Sequence, residues 1–298
     1  MRFDSYHPAI NFIYFATAIA CTLAFNQPVF LAISFLCAFA YSVKLRGRKA
    51  LPLNLALLPL MAAYTWWYSY YNHFGVTNLR TNFAGNWITL ESVAAGAAIS
   101  VAAAAVIMWM SCVFTVVSSD KVVYLLGRLS PKLSLFFSIL LRMFPRCGRQ
   151  LSRINTARRG IGRGAGQGSF PAKALNSVKI LSALISWTLE EFVESSVSMR
   201  NRGYSLKGRT AFSIYRFDNR DRSLVVVMFI CITLIIMAVM LDQTAMMFDP
   251  EIIINRITPV SAVFYGAYAL LLVMPGALQI ADEMRFRRNR KNILTNCK

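Results

Sequence analysis

The chain predicts an all-α, polytopic integral membrane protein of about six transmembrane helices, with a cytoplasmic helical segment inserted between the fourth and fifth. Three observations carry this. Charged residues make up only 15% of 298 residues while hydrophobic ones make up 56%, where a soluble domain carries about a quarter charged residues. Apolar runs near the length of a bilayer-spanning helix recur along the chain. Finally, the 32 Lys and Arg against 13 Asp and Glu, a net charge of +19, fall between those runs, as the positive-inside rule requires of cytoplasmic loops. A basic excess of this size also suits nucleic acid, but lipid headgroups satisfy charges in this arrangement more simply, so no nucleic-acid partner is expected.

The candidate spans are residues 10–25, 29–43, 51–71, 90–117, 224–241 and 259–280. The first two are short and joined by Asn26-Gln27-Pro28, which predicts a tight helical hairpin. Lys44, Arg46, Arg48 and Lys49 fill the second connection, the stretch 121–222 is strongly basic, and Arg285, Arg287, Arg288, Arg290 and Lys291 mark the tail. By contrast, residues 72–89 hold a single Arg80, and residues 242–257 carry Asp242, Asp249 and Glu251 against Arg256. Placing the basic loops inside gives a multi-pass cell-membrane protein with both termini cytoplasmic. Trp66, Trp67, Tyr68, Tyr70 and Tyr71 crowd the outer end of the third span as an interfacial belt does. In the fourth span, Ala94, Ala95, Gly96, Ala97, Ala98, Ser100 and Ala102 to Ala105 allow close helix approach, for internal packing or for another membrane subunit. Four divisions follow: N-terminal spans 1–117, a cytoplasmic segment 118–222, C-terminal spans 223–281 and a basic cytoplasmic tail 282–298.

Within the cytoplasmic segment, Ser118-Ser119-Asp120 caps a short helix ending near Gly127. Ser130-Pro131 opens a longer one, with proline at its first position. Arg142, Arg146, Arg149 and Arg153 recur at spacings that place them on one face, and Pro145 is expected to kink this helix. Arg158 and Arg159 sit at its end, where cations suit the macrodipole, and Gly160 is expected to take the left-handed conformation that terminates it. The run from Gly160 to Gly168, glycine at alternate positions, lacks a Gly-Lys-Ser/Thr ending, a preceding strand and a G-x-G-x-x-G register. It therefore predicts a flexible linker, not a phosphate loop.

A second long helix is expected over residues 171–201, with Leu181, Leu184, Ile185, Thr188, Leu189 and Phe192 as its apolar stripe. Glu190, Glu191 and Glu194 lie on another side, either pairing with the arginine row or forming a solvated acidic face. The helix closes on Met199-Arg200-Asn201-Arg202-Gly203-Tyr204, the same succession of arginine, glycine and turn. Guanidinium groups at two such tips suit bidentate bonding to the carboxylates of an acidic partner.

This pair resembles the hallmark of the transmembrane T component of energy-coupling factor transporters, the microbial importers of vitamins and transition-metal ions. That family carries two Ala-Arg-Gly-like motifs at the ends of two coupling helices; here they read Arg158-Arg159-Gly160 and Asn201-Arg202-Gly203, with alanine replaced in both. Arg142-Met143-Phe144-Pro145, Gly203-Tyr204 and Gly208-Arg209-Thr210 are similar to family stretches, and Asn72-His73-Phe74-Gly75-Val76-Thr77 to its Asn-His-x-Gly-x-Thr loop. The likeness extends over residues 50–240. It implies a non-enzymatic scaffold in which two cytoplasmic ATP-binding-cassette ATPases grip Arg159 and Arg202 and drive a membrane-embedded, substrate-binding S component. It implies no cofactor, no metal and no catalytic residue in this subunit.

A membrane enzyme wants clustered Asp, Glu or His at the membrane face, and a stand-alone transporter wants charges or broken helices near the bilayer midplane. The spans hold almost no ionisable residue, and Pro59 and Pro275 are joined by no polar constellation. The six cysteines are scattered without a C-x-x-C, and His7 and His73 are too few and too distant to propose a metal centre.

Overall fold

The computed structural model describes residues 3–81, 87–204, 206, 215, 217–248, 252–253 and 258–296. Gly208-Arg209-Thr210 and the loop charges Asp249, Glu251 and Arg256 lie outside the described residues, as do the side chains of Arg80 and Lys291. The chain is mostly helical. Its helices are α1 (Pro8–Ala24), α2 (Pro28–Arg46), α3 (Leu51–Tyr71), α4 (Leu90–Val116), α5 (Ser119–Leu129), α6 (Pro131–Gly160), α7 (Phe170–Asn201), α8 (Asn219–Met240) and α9 (Pro259–Asn296). The all-helical expectation needs one addition, an antiparallel ribbon of β1 (Asn78–Thr81) and β2 (Trp87–Thr89) between α3 and α4. Two compact units result: Met1–Ser118 with Tyr215–Lys298, and Ser119–Ile214.

In the first unit four stretches are long and apolar enough to cross a membrane: Pro28–Lys49, Leu90–Val116, Asn219–Met240 and Pro259–Arg290. Helix α1 is apolar but only 17 residues long, about 25 Å at 1.5 Å per residue. Helix α3 has the length, but two prolines, Asn54 and the Trp- and Tyr-rich end lower its mean hydropathy. Large apolar side chains cover the outward faces: Phe229 on α8 is 67% exposed, and Trp66 on α3 is 72% exposed. Such surface is stable against lipid and costly against water, which makes this a membrane-embedded bundle.

The centre of the unit is aromatic. Tyr14, Trp109 and Tyr268, from α1, α4 and α9, are fully buried, with Tyr14 edge-on to Trp109 at 6.1 Å between ring centroids. A polar chain threads this core: the Trp109 indole donates to Ser34 Oγ at 3.2 Å, Ser34 meets Thr22 Oγ1 at 2.7 Å, and Tyr14 Oη donates to the Leu272 carbonyl at 3.1 Å. These bonds tie α1, α2, α4 and α9, and pairing every partner avoids the cost of a bare polar group in an apolar interior. The expected α1–α2 hairpin is not tight. The helices meet at Thr22 and Ser34, but α1 packs chiefly on α4, and α2 on α4 and α9. The aromatic core supplies a larger apolar surface than either short helix offers the other.

Small residues in α4 serve packing inside the unit. A Cβ on Gly96 would stand 3.1 Å from the Tyr68 ring and 3.3 Å from the Thr65 carbonyl of α3, and Ala95, Ala104 and Ala105 are buried. The expected separate tail from residue 282 begins inside α9, which runs unbroken to Asn296. No glycine or proline interrupts the chain after Gly276, and Glu283 is held by Lys44 of α2 at 2.6 Å.

Candidate functional site

Helices α6 and α7 belong to the second unit and carry the arginine tips. Pro131 starts α6 and Pro171 lies in the first turn of α7, positions where the missing N–H costs no helical bond. Helix α6 runs continuously through Pro145 to Gly160. Its arginine row falls on one face: Arg142, Arg149 and Arg153 are exposed, while Arg146 is half-buried and ion-paired with Glu191 of α7. Of the three acids, only Glu191 meets the row. Glu190 and Glu194 are exposed and make no ion pair among the described residues. Glu191 lies with Leu184, Trp187 and Thr188 on the half-buried side of α7; Glu190 turns outward, and Glu194, three residues on, flanks the same side but stays exposed.

The pair is amphipathic in the inverted sense. Its seam holds Arg146, Arg149, Gln150, Arg153, Trp187 and Glu191 around a cavity of about 310 Å3. On the far side of α6 stand Leu133, Phe137, Phe144 and Leu151, all exposed, with Phe144 at 74%. The expected α7 stripe is likewise turned outward: Leu181, Ile185, Leu189 and Phe192 are exposed, and Leu184 and Thr188 are half-buried. A helix pair that gathers its arginines along one seam and shows leucines on the other sides is suited to apolar surroundings on those outer faces.

The two tips close by the same bonds but in different registers. At α7, Gly203 N–H donates to the Arg200 carbonyl at 3.0 Å and Tyr204 N–H to the Met199 carbonyl at 3.2 Å, with Gly203 at φ 76°. At α6, Gly162 N–H donates to Arg159 at 3.1 Å and Arg163 N–H to Arg158 at 2.9 Å, with Gly162 at φ 71°. Both are Schellman closures around a left-handed glycine. Gly160 therefore does not end its helix as expected; it occupies the last helical position, and Gly162 supplies the left-handed residue. Register by register, Arg159 corresponds to Arg200, and Arg202 to Ile161. Arg159 and Arg202 are exposed, Arg158 is half-buried, and Asn201 is exposed beside Arg202 in a shallow groove also lined by Val193, Glu194 and Val197.

The glycine-rich connector is a bonded turn, not the open linker its composition predicts. Gly164 N–H donates to Gln167 Oε1 at 2.9 Å, Ala165 N–H donates to Asn155 Oδ1 at 3.1 Å, and Asn176 Nδ2 donates to the Gly164 and Gln167 carbonyls at 3.4 Å. Gly164 is buried, and a Cβ there would run into the Arg159 side chain. One amide from each helix thus holds the turn beneath the first arginine tip.

At the other end of the sequence likeness, the loop from Asn72 to Thr77 is pinned by a residue the sequence reading passes over. Glu91, buried at the start of α4, accepts from Thr77 N–H at 3.2 Å and from Thr77 Oγ1 at 2.7 Å. Ser92 Oγ donates to the Asn72 carbonyl at 2.6 Å. Gly75, at φ 107°, passes so close that a Cβ would lie 2.5 Å from the Glu91 carboxylate.

In comparisons with known proteins, no family model matches the chain and no curated protein is found as a relative.

Proposed function

We propose that this chain is the transmembrane energy-coupling subunit, the T component, of an importer of the energy-coupling factor type. The observation that supports this most is the pair of long helices, α6 and α7, each closing on a Schellman turn with an exposed arginine, Arg159 or Arg202, at its tip. Two ATP-binding-cassette ATPases in the cytoplasm take these guanidinium groups into acidic grooves, bidentately. ATP binding and hydrolysis displace α6 and α7, and the motion passes to a membrane S component that carries the vitamin or metal-ion cargo. No bond is made or broken in this subunit.

On this reading α1 and α3 join the four long apolar helices to make six spans. The bilayer thins locally around α1, and the aromatic end of α3 sits at the outer interface. Both termini and the second unit are then cytoplasmic, and the β1–β2 ribbon is external.

The test is charge reversal at the tips. Arg159→Glu with Arg202→Glu is expected to abolish co-purification of the ATPases while membrane insertion stays normal. Undiminished co-purification with the double variant contradicts the reading.

A further inference from the structure

The seam between α6 and α7 holds more positive charge than its own carboxylate balances. Three guanidinium groups line the cavity and one carboxylate answers them; Glu191 takes Arg146, and among the described residues Arg149 and Arg153 make no ion pair. The lining is donor-rich. Each guanidinium offers five N–H groups, the Trp187 indole offers one, and Gln150 adds an amide. With only the Glu191 carboxylate and the Gln150 carbonyl as acceptors, the surface holds far more donors than acceptor oxygens, and a phosphate supplies many such oxygens in a small volume.

We propose that the cavity bounded by Arg146, Arg149, Gln150, Arg153, Trp187 and Glu191 binds a phosphate group, either as a free anion or as the headgroup of an anionic phospholipid. Its volume of about 310 Å3 is about ten times the ~30 Å3 share of one water, so a phosphate ester fits as well as the bare ion. Arg149 and Arg153, one helical turn apart, clamp two edges of the tetrahedron. The Arg146–Glu191 pair closes the third side and keeps the site from collapsing onto its own charges. This site does not depend on the energy-coupling reading; it stands on the geometry of the seam alone.

The full chain, purified in detergent, is titrated separately with inorganic phosphate, with phosphatidylcholine vesicles with and without phosphatidylglycerol, and with poly-glutamate. Phenylglyoxal modification of individual arginines is read by peptide mass spectrometry. Phosphate or phosphatidylglycerol is expected to shield Arg149 and Arg153 while leaving Arg142, on the same face but outside the cavity, fully reactive. Shielding by inorganic phosphate assigns the free anion; shielding by phosphatidylglycerol vesicles alone assigns the headgroup. Binding is expected to weaken at least about tenfold in Arg149→Gln with Arg153→Gln, the equivalent of one lost charge-assisted hydrogen bond, and to be unchanged in Arg142→Gln. The shielding arm uses the unaltered protein and decides the matter even where the double variant does not fold. No shielding by either probe, equal shielding of Arg142, or shielding by poly-glutamate alone overturns the proposal, the last reassigning the seam to an acidic protein partner.

Discussion

Closing a helix requires a residue that reverses the backbone at positive φ, and in α6 and α7 that duty falls on Gly162 and Gly203. An alanine forced into this conformation costs about 1–2 kcal/mol, so Gly162→Ala and Gly203→Ala are expected to fray the tips. Gly160 sits inside the helix with nothing within 4 Å of an added Cβ. Gly160→Ala is therefore expected to stabilise the last turn by about 0.5–1 kcal/mol. Amide exchange at residues 156–160 separates the two outcomes: slower in Gly160→Ala, faster in Gly162→Ala. Equal behaviour of the two contradicts the assigned cap. The arginines of the tips were legible in the sequence, whereas their register was not. A run with glycine at alternate positions offers several places to stop, and the choice is made by contacts remote in sequence: Asn155 and Asn176 reaching the connector, and Gly164 lying against Arg159. Glu91 escaped notice for a related reason. A lone acid at the start of an apolar run reads as a favourable first-turn charge, and only the fold brings Thr77 and Gly75 onto it.

Along the helices, the periodicity of the arginines was enough to place them on one face, and the acids on α7 were visible as candidates for pairing. Which acid pairs was not visible, because Glu190, Glu191 and Glu194 lie within one turn and a small rotation of α7 decides among them. The structure selects Glu191, the one on the seam. Removing it leaves Arg146 half-buried without its carboxylate, so Glu191→Ala is expected to weaken α6–α7 packing by about 1 kcal/mol. Glu190→Ala and Glu194→Ala, in exposed positions, are expected to change it little. A disulfide-trapping rate between cysteines introduced on the two helices reports the difference. A rate altered as much by Glu190→Ala as by Glu191→Ala would show that the seam is not where the ion pair puts it. The inverted amphipathicity of the pair was half legible. The α7 stripe could be read off the sequence, but that it turns away from α6 follows from the polar seam having taken the inner side.

For the molecule as a whole, hydropathy located the helices of the first unit to within a few residues at both ends, except that α9 begins at the expected Pro259 and continues past residue 280 to Asn296. The correct positions arise because an apolar run bounded by polar loops has few alternatives in lipid. What hydropathy could not supply is how the helices group. Helix α4 packs on α1, α2 and α3, with Trp109 against Tyr14 and Phe15 of α1 and Ser34 and Tyr41 of α2, an arrangement set by side-chain shape and the buried hydroxyl chain. The continuous α9 likewise shows that a change in composition at residue 281 is not a change in structure. Two units built in this way, one clothed in apolar residues and one ending in exposed arginines, suit a subunit that transmits work performed by others. The most direct measurement is solute uptake into proteoliposomes containing the full chain, alone and together with the two ATPases and the S component that the proposal assigns to it. The account predicts no uptake and no ATP hydrolysis by the chain alone, and ATP-dependent uptake only when all are present. Uptake or substrate turnover by the chain by itself would contradict it.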